Sequence, residues 1–314
     1  MDIINIIAGL LILFLGGESV IRGSISLARH LNISRILVSC VIVGFGTSMP
    51  EMTVSIEAMI KEAPGIAIGN VVGSNIVNIL FILGFAGMIS PIILKDSVIN
   101  RDIIVMLLAT LIFVLLGATG VIGLASGVLM IGILGGYIGY SYFKDRTKFS
   151  EQDIKNIERD LGFVRNANLV MSFFICVVGF VLLIVGSSIM LDGSIALATK
   201  LKIDQEIIGL GIVAVGSCLP ELATAGIAAY RKHSNIVVAS IVGSNIFNIL
   251  SIVGVISLID SIKIPPHILK LDLWILLGIT CIISAIFLKR ITFGKKLGGL
   301  FVIAYIYYFY KLFI

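Results

Sequence analysis

Apolar residues recur in long runs from one end of the chain to the other, separated by breaks that are charged or rich in turn-forming residues. Most runs are about 20 residues long, the length that a helix needs to cross the hydrocarbon core of a bilayer. The breaks divide the sequence into ten predicted spans, over residues 3–28, 36–60, 65–89, 98–117, 121–143, 168–199, 206–230, 235–259, 268–288 and 294–313. The pattern therefore predicts an all-α polytopic membrane protein with ten transmembrane helices.

One break is much longer than the others. It is KDRTKFSEQDIKNIERDLGFVR, Lys144 to Arg165, which we predict to be a solvated loop or short surface helix. The connecting segment, residues 144–167, separates a first five-helix repeat, residues 1–143, from a second, residues 168–314. Lysine and arginine are concentrated in the odd-numbered breaks, this one among them. Because cytoplasmic loops carry an excess of these residues, the loop is predicted in the cytoplasm and both termini outside the cell membrane.

Composition changes this picture little. The chain is 58% hydrophobic, and its formal net charge of +5 reports membrane topology rather than a nucleic-acid partner. The four cysteines lie in apolar runs without paired spacing: Cys40, Cys176, Cys218 and Cys281. Neither a disulfide framework nor a zinc site is therefore predicted. The sequence also shows no nucleophile and base pair and no nucleotide-binding loop, so neither an enzyme nor a cofactor is expected.

The second half of the chain repeats the first at a constant offset of 170 residues. GTSMPE (46–51) aligns with GSCLPE (216–221), and VVGSNIVNIL (71–80) aligns with IVGSNIFNIL (241–250), without a gap. Five predicted spans separate equivalent points, and because five is odd the two halves must cross the membrane in opposite orientations. An inverted-topology repeat in a transporter places the binding site near the midplane, between broken helices from each half.

Proline interrupts backbone hydrogen bonding inside the first repeated block. Pro50 has no N–H to donate to the carbonyl of Gly46, and Pro220 frees the carbonyl of Gly216 in the same way. Non-helical backbone at membrane depth is tolerated only where it is buried in protein or lines a cavity. Each half is therefore predicted to carry a broken helix beside a site.

Oxygen-bearing side chains accompany both breaks at helical spacing. They are Thr47, Ser48, Glu51, Ser74 and Asn78 in the first half and, in the same order, Ser217, Cys218, Glu221, Ser244 and Asn248 in the second. The first three of each set share a helical face, and the last two are four residues apart. Carboxylates, hydroxyls, amide oxygens and freed carbonyls are hard donors that suit Ca2+ or Na+ rather than zinc or copper. An empty site would leave two buried carboxylates uncompensated.

Two simpler interpretations remain open. The two glutamates could be protonated or paired with buried bases, although Arg22 has a nearer partner in Glu18, one turn before it. For Asn75 and Asn245, capping of broken helix ends through backbone hydrogen bonds is favoured over direct contact with an ion.

The paired blocks GTSMPE with GNVVGSNIVN (69–78), and GSCLPE with ASIVGSNIFN (239–248), resemble the two alpha-repeats of the sodium/calcium exchanger family, prokaryotic type, in the cation/calcium exchanger superfamily. The resemblance covers the whole chain. It implies ten helices in two inverted-topology repeats of five, with the long first and sixth helices moving across a core of eight. It also implies exchange of Na+ for Ca2+ by alternating access, with the two ions and the bilayer as partners. A monomer is the working expectation for the oligomeric state.

The resemblance further implies a set of metal ligands. Main-chain carbonyls seven residues before each glutamate join the side chains named above. The full set is Gly44, Thr47, Ser48, Glu51, Ser74, Asn78, Ala214, Ser217, Cys218, Glu221, Ser244 and Asn248.

Three positions depart from the family pattern. Cys218 stands where serine is usual, and a thiol is a poor ligand for a hard cation, which puts one sodium site in question. Ser217 replaces threonine and keeps the hydroxyl. Asn248 stands where potassium-dependent relatives, and some others, carry aspartate, so its neutral amide argues against K+ co-transport.

The favoured hypothesis is a secondary antiporter that exchanges Na+ for Ca2+. The alternative is an H+/Ca2+ antiporter, but that branch typically carries a second glutamate shortly after the GN of the second block, where this chain has VVGSN. A cation channel with paired acidic rings is a further candidate. The inverted duplication with a site at mid-depth favours a carrier over a channel.

Overall fold

The computed structural model describes residues 2–31, 35–60, 62, 64–94, 98–144, 167–200 and 218–311, and most of these residues are helical. The first half contains α1 (Asp2–Leu31), α2 (Arg35–Val38), α3 (Gly44–Thr47), α4 (Met49–Ile60), α5 (Pro64–Ile76), α6 (Leu83–Ile89), α7 (Val98–Gly117) and α8 (Leu124–Lys144). The second contains α9 (Leu169–Lys200), α10 (Leu219–Tyr230), α11 (Ser234–Phe247), α12 (Val253–Ile259), α13 (Leu273–Leu288) and α14 (Lys295–Lys311). Wider π-helical turns occupy Ser39–Val43, Val77–Ile82, Asn248–Ile252 and Ile268–Asp272.

Within the described residues, seven helical stretches are long and apolar enough to cross a membrane. They are Ile4–Leu31, Pro64–Ile89, Ile99–Gly117, Leu124–Lys144, Leu169–Gly186, Ser234–Ile259 and Ile268–Leu288. The other three predicted spans differ for identifiable reasons. The span over residues 36–60 is interrupted at Ser48, and α14 has only 17 residues. Residues 206–217 of the span over 206–230 lie outside the described part of the chain, as does the central loop beyond Lys144.

A short ribbon departs from the all-α prediction. Strand β1 (Val121–Ile122) pairs antiparallel with β2 (Ile262–Lys263), and an isolated bridge joins Ile92 to Phe293. These residues lie in connections between helices, where backbone groups without helical partners must find others. In the predicted ten-span topology, each pairing joins two even-numbered or two odd-numbered connections. Such pairs lie on the same face of the membrane, so the pairings are compatible with that topology.

The two halves interlock through close helix contacts at glycine. A Cβ atom added to Gly127 of α8 would lie 2.8 Å from the carbonyl oxygen of Gly254 in α12. One added to Gly84 of α6 would lie 2.9 Å from the carbonyl oxygen of Gly298 in α14. Glycine allows helices to approach this closely because it has no side chain. In both cases a helix of one half packs directly against a helix of the other.

The long helices α1 and α9 pack against each other along much of their length. A Cβ atom at Gly16 would lie 3.0 Å from the carbonyl oxygen of Gly179, and one at Gly186 would lie 3.1 Å from that of Gly9. The order of these contacts shows that the two helices run antiparallel. The two contacts are also related by the 170-residue offset. The pair lies beside the site, because α1 and α9 both pack on α10, and α9 also packs on α3.

Candidate ion-binding site

The predicted helix break is present in the first half, and the equivalent residue of the second half has nearly the same backbone angles. Helix α3 ends before Ser48, whose φ of −84° and ψ of 6° take it out of the regular helix, and α4 follows at once. Cys218 has a φ of −90° and a ψ of 7° and precedes α10. Pro50 and Pro220 fall in the first turn of the following helices, where a missing N–H is tolerated.

A buried carboxylate follows each of these two positions. Glu51 and Glu221 lie in the first turns of α4 and α10, where the helix dipole favours negative charge. They are 0% and 3% exposed, and their charges repel each other. The Ser48 hydroxyl donates to Glu221 Oε1 at 3.3 Å, whereas Glu221 Oε2 accepts no hydrogen bond from the described residues. Two like charges buried together require a compensating positive charge.

Three oxygen atoms from the two repeats meet beside these carboxylates. Thr47 Oγ1 lies 3.2 Å from Ser244 Oγ and 3.2 Å from the carbonyl oxygen of Gly44, and its one proton can be donated to that carbonyl or to the carbonyl of Val43 at 3.0 Å. Ser244 Oγ donates to the carbonyl of Gly44 at 3.3 Å. Oxygen atoms bound at right angles to one Ca2+ would lie about 3.4 Å apart. The cluster therefore already has nearly the spacing that ligands of one cation require, once the hydroxyl protons rotate away.

Glycine brings the two repeats into contact at this cluster. A Cβ atom at Gly44 would lie 2.8 Å from the backbone nitrogen of Ser244, and one at Gly243 would overlap the backbone of Cys40. The π-helical turn Ser39–Val43, α3 and α11 can approach so closely only without side chains at these two positions. The glycines thus place Ser244 beside Thr47.

Amide groups of the second block join the two repeats in the same region. Asn78 Nδ2 donates to Asn245 Oδ1 at 3.0 Å, and Asn248 Nδ2 donates to the Ser74 hydroxyl at 3.1 Å. The Oδ1 atoms of Asn78 and Asn248 are buried and accept no hydrogen bond from the described residues. Both asparagines belong to π-helical turns, which occur frequently at functional sites.

Comparison with known proteins identifies the family. The model of the sodium/calcium exchanger protein family matches residues 2–143 and 171–314. The chain belongs to the sodium/calcium exchanger family. Its members carry ions across membranes, so exchange of Na+ and Ca2+ is the activity to which the site must be related.

Relatives and a solved structure match this exchanger over nearly its whole length. The putative antiporter CaxA of Alkalimonas amylolytica is 30% identical, over 99% of this chain and 98% of its own. The sodium/calcium exchanger MaX1 of Methanosarcina acetivorans is 26% identical, over 95% of this chain and 93% of its own. The structure of the sodium-calcium exchanger NCX_Mj soaked with zero Na+ and Ca2+ is 29% identical with a TM-score of 0.84, covering 99% of this chain and 98% of that one.

The structure gathers most of the predicted ligands of this exchanger. Ala214 and Ser217 lie outside the described residues. Every other predicted ligand is buried: Gly44, Thr47, Ser48, Glu51, Ser74, Asn78, Cys218, Glu221, Ser244 and Asn248. Contacts between the repeats link Thr47 and Gly44 with Ser244, Ser48 with Glu221, and Ser74 with Asn248.

The expectations for neighbouring side chains have mixed outcomes. Arg22 Nε pairs with Glu18 Oε1 at 2.6 Å, as predicted. Asn75 donates to the carbonyl of Val71 at 2.7 Å, a backbone bond as expected, but one that lies inside α5 rather than at a broken helix end. Asn245, in contrast, bonds to side chains, since it accepts from Asn78 and donates to a methionine sulfur.

Asn70 is a supporting residue that the sequence analysis did not assign. Its Nδ2 lies 3.0 Å from both the carbonyl oxygen of Glu51 and the hydroxyl of Ser55. It therefore ties α5 to the first turn of α4. Its position at the start of the second block, in GNVVGSN, was the available signal.

Two buried aspartates were also missed. Tyr137 Oη donates to Asp102 Oδ1 at 3.0 Å, and Tyr308 Oη donates to Asp272 Oδ1 at 3.1 Å. Asp102 and Asp272 are separated by the same 170 residues as the repeated blocks. Each bond ties neighbouring helices of one half together, so the repeat offset alone could have found this pair.

Proposed function

We propose that this exchanger is a secondary antiporter that moves Ca2+ against Na+ by alternating access, with the ions bound at mid-membrane between the two alpha-repeats. The observation that carries the proposal is the cluster of Thr47 Oγ1, Gly44 O and Ser244 Oγ, which combines oxygen atoms of both repeats within 3.3 Å of one another. Relative movement of the two repeats would separate these oxygen atoms and bring them together again.

The buried charge explains why the two ions would compete. Glu51 and Glu221 together carry two negative charges, which one Ca2+ or two monovalent cations neutralise. An unloaded site leaves both carboxylates uncompensated in a low-dielectric interior. Crossing the membrane empty is therefore costly, and movement of one ion type becomes linked to return of the other.

The proposed ligands are the set named from the sequence. Ten of them are buried where the structure describes them, and the contacts between repeats support a common site for these. Ala214 and Ser217 rest on the sequence alone, as the counterparts of Gly44 and Thr47. Asn248, a neutral amide, supports Na+ without K+ as the driving ion.

We further propose ten transmembrane helices in two inverted repeats, residues 1–143 and 168–314, with residues 144–167 as a cytoplasmic connection and both termini outside. The supporting observation is a pair of backbone contacts in nearly equivalent positions. Ile262 pairs with Ile122, and its counterpart Ile92 pairs with Phe293, one residue beyond the counterpart of Ile122. Contacts repeated in this way are expected when two like halves pack about an axis in the membrane plane.

Ion-swap flux is the decisive experiment for the transport function. The purified chain is reconstituted into proteoliposomes, and uptake of radioactive Ca2+ is measured with Na+, K+ or H+ gradients imposed one at a time. We expect uptake that requires an outward Na+ gradient. Uptake that does not depend on Na+ but follows a pH gradient would indicate H+/Ca2+ exchange. Uptake that requires no counter-ion would indicate a channel.

A further inference from the structure

The backbone of Glu51 is hydrogen-bonded to a side chain from the next helix of its own repeat. Asn70 Nδ2 lies 3.0 Å from the carbonyl oxygen of Glu51 and 3.0 Å from the hydroxyl oxygen of Ser55. A carbonyl oxygen can only accept, so the amide must direct its nitrogen toward α4, and the two N–H groups of that nitrogen match the two acceptors. Glu51 and Ser55 are both 0% exposed, and hydrogen bonds in the interior are stronger than those in water.

Asn70 shares one face of its helix with two proposed ligands. Asn70, Ser74 and Asn78 follow one another at intervals of four residues, which places their side chains on the same side of the helix, about one turn apart. Ser74 in turn accepts a hydrogen bond from Asn248 of the other repeat. The bond from Asn70 therefore holds the first turn of α4, which carries Glu51, at a set distance from Ser74.

The turn that joins α4 to α5 is too far away to fix this distance by itself. Helix α4 ends at Ile60 and α5 begins at Pro64, so Glu51 lies about 14 Å along the helix from the turn. A change of about 5° in the angle between the helices would move Glu51 by about 1 Å over that length. Ca2+–oxygen distances vary by only about 0.3 Å. A bond between the two helices close to the site provides the precision that the distant turn lacks.

The described part of the second repeat lacks this bond between helices. Ser240 stands at the position equivalent to Asn70, and Ala225 stands at the position equivalent to Ser55. The hydroxyl of Ser240 donates its one proton to the carbonyl of Val237 in its own helix, α11, at 3.0 Å. Ala225 offers no polar side-chain atom to a neighbouring helix.

Glu221 is held in a different way. Its carbonyl oxygen lies 3.1 Å from the hydroxyl of Thr224, which belongs to the same helix, α10. Its carboxylate accepts a hydrogen bond from Ser48 of the other repeat at 3.3 Å. The two carboxylates of the site therefore have unlike supports, although the blocks that carry them are duplicated.

We propose that Asn70 is a positioning residue that fixes Glu51 relative to Ser74 and thereby favours Ca2+ over Na+ at the shared site. This inference rests on the proposed antiport, in which both ions use the two glutamates. The attraction between a carboxylate and a cation is proportional to the charge of the cation, so displacement of Glu51 weakens Ca2+ binding by about twice the free energy that it costs one Na+. Loss of the bond should therefore change the selectivity of the site as well as its affinity.

The first test compares Asn70→Ser with Ser240→Ala. N70S gives the first repeat the residue that the second repeat has, whereas S240A removes a hydroxyl whose bond lies within α11. The full chain is reconstituted into proteoliposomes, and the Ca2+ and Na+ concentrations for half-maximal exchange are determined separately. Loss of a residue that orients a metal ligand typically weakens binding by about 10- to 100-fold. We expect N70S to raise the Ca2+ concentration about 10-fold and the Na+ concentration about 3-fold, since half the free-energy change gives the square root of the ratio. S240A should change neither.

The ratio of the two concentrations distinguishes positioning from a general structural role. Partial misfolding lowers the number of active molecules and the maximal rate, but it leaves both half-maximal concentrations unchanged. Equal changes for the two ions in N70S, or no change for either, would overturn the proposal.

Two further variants identify the bond that matters. Asn70→Leu has nearly the volume of asparagine but no donor, so it should reproduce the change in ratio caused by N70S. Ser55→Ala removes one acceptor and leaves the bond to the Glu51 carbonyl, so it should have a much smaller effect. Wild-type values in N70L would assign the role to packing, and a full effect in S55A would assign it to the Ser55 hydroxyl. Either result would contradict the proposal.

Ca2+ binding is also measured without transport, in case a variant is inactive in vesicles. Ca2+ that binds the folded protein raises its thermal unfolding midpoint in detergent. N70S should require about 10 times more Ca2+ for the same rise, and an unchanged requirement would overturn the positioning role. Wild-type vesicles separate the two levels of inference. Without Na+-dependent Ca2+ flux in the wild type the transport function itself fails, whereas normal wild-type flux with an unaltered ion ratio in N70S removes only the role of Asn70.

Discussion

Ser48 and Cys218 show how far one position can differ between otherwise equivalent halves. Both are buried, directly precede the helix that carries a site glutamate, and have nearly the same backbone angles. Ser48 offers an oxygen atom and donates to Glu221, whereas Cys218 offers a sulfur atom. Because hard cations prefer oxygen, the two halves should bind Na+ unequally.

Replacing Cys218 with serine should strengthen Na+ binding. We expect C218S to lower the Na+ concentration for half-maximal exchange by about 2- to 10-fold, the range for one added polar contact. The Ca2+ concentration should change little. C281S, at an exposed thiol, is the matched control, and Ser48→Cys should move the Na+ concentration in the opposite direction. If C218S leaves the Na+ dependence unchanged, the position is not a sodium ligand.

Neutralising either buried glutamate should stop exchange. E51Q and E221Q preserve shape but remove charge, and loss of a buried charged partner costs about 2 kcal/mol or more, a factor of about 30. Na+-driven Ca2+ uptake in proteoliposomes is the measurement. E62Q, in an exposed turn, removes a charge outside the site and should retain activity. Full activity in both site variants would remove these residues from the ligand set.

At the scale of elements, the site depends on how closely helices approach. The π-helical turn Ser39–Val43 and α11 meet at Gly243, where a side chain would overlap the backbone of Cys40. Backbone atoms cannot rotate aside as a flexible side chain can. The distance between Thr47 and Ser244 is therefore set by this glycine as well as by the two residues themselves.

Gly243→Ala should separate the two helices and disrupt the site. Overpacking of this kind costs about 1–3 kcal/mol, so we expect a lower thermal unfolding midpoint in detergent together with reduced uptake of Ca2+. Gly132→Ala is the control, because Gly132 is exposed on α8 and an added Cβ would meet no atom within 4 Å. That change should be neutral or slightly stabilising, since alanine favours a helix. An unfolding midpoint of G243A equal to that of wild type would contradict the argument.

The sequence predicted elements better than it predicted partners. Hydropathy predicted residues 98–117 as a span, and α7 occupies the same range. Pro50 predicted the interruption that occurs at Ser48, and Pro220 lies in the first turn of α10, directly after Cys218. The π-helical turns were not predicted, because one extra residue in a turn leaves no mark on composition. The hydrogen bond from Asn78 to Asn245 was also not predicted. Which asparagine becomes a partner depends on how two helices cross, and the hydropathy pattern carries no information about that crossing.

At the scale of the whole molecule, α1 and α9 form a unit beside the remaining helices. Glycines of both helices hold them together, as at Gly16 and Gly186. An ion pair links this unit to α10, since Arg231 at the end of α10 bonds to Glu18 of α1. Movement of the two long helices relative to α10 would have to break this pair. The ion pair should therefore stabilise one access state relative to the other.

Arg231→Gln should shift the balance between access states without removing an ion ligand. A partly exposed ion pair contributes up to about 1 kcal/mol, which corresponds to a factor of about five. We expect the Na+ concentrations for half-maximal exchange at the two membrane faces to shift by up to this factor relative to each other, measured in vesicles of opposite orientation. Lys289→Gln, in an exposed turn, should shift neither. Unchanged affinities at both faces in R231Q would show that this pair does not distinguish the states.

The interlocking of the two halves has a consequence for biogenesis. Helix α6 completes its packing only against α14, through Gly84 and Gly298, and α14 follows every other described helix in the chain. During synthesis, the face of α6 that will pack on α14 must therefore remain in contact with lipid until almost the whole chain has been inserted. The first repeat cannot mature as an autonomous unit, and a nascent chain stalled before α14 should be recognised as unfinished by membrane quality control.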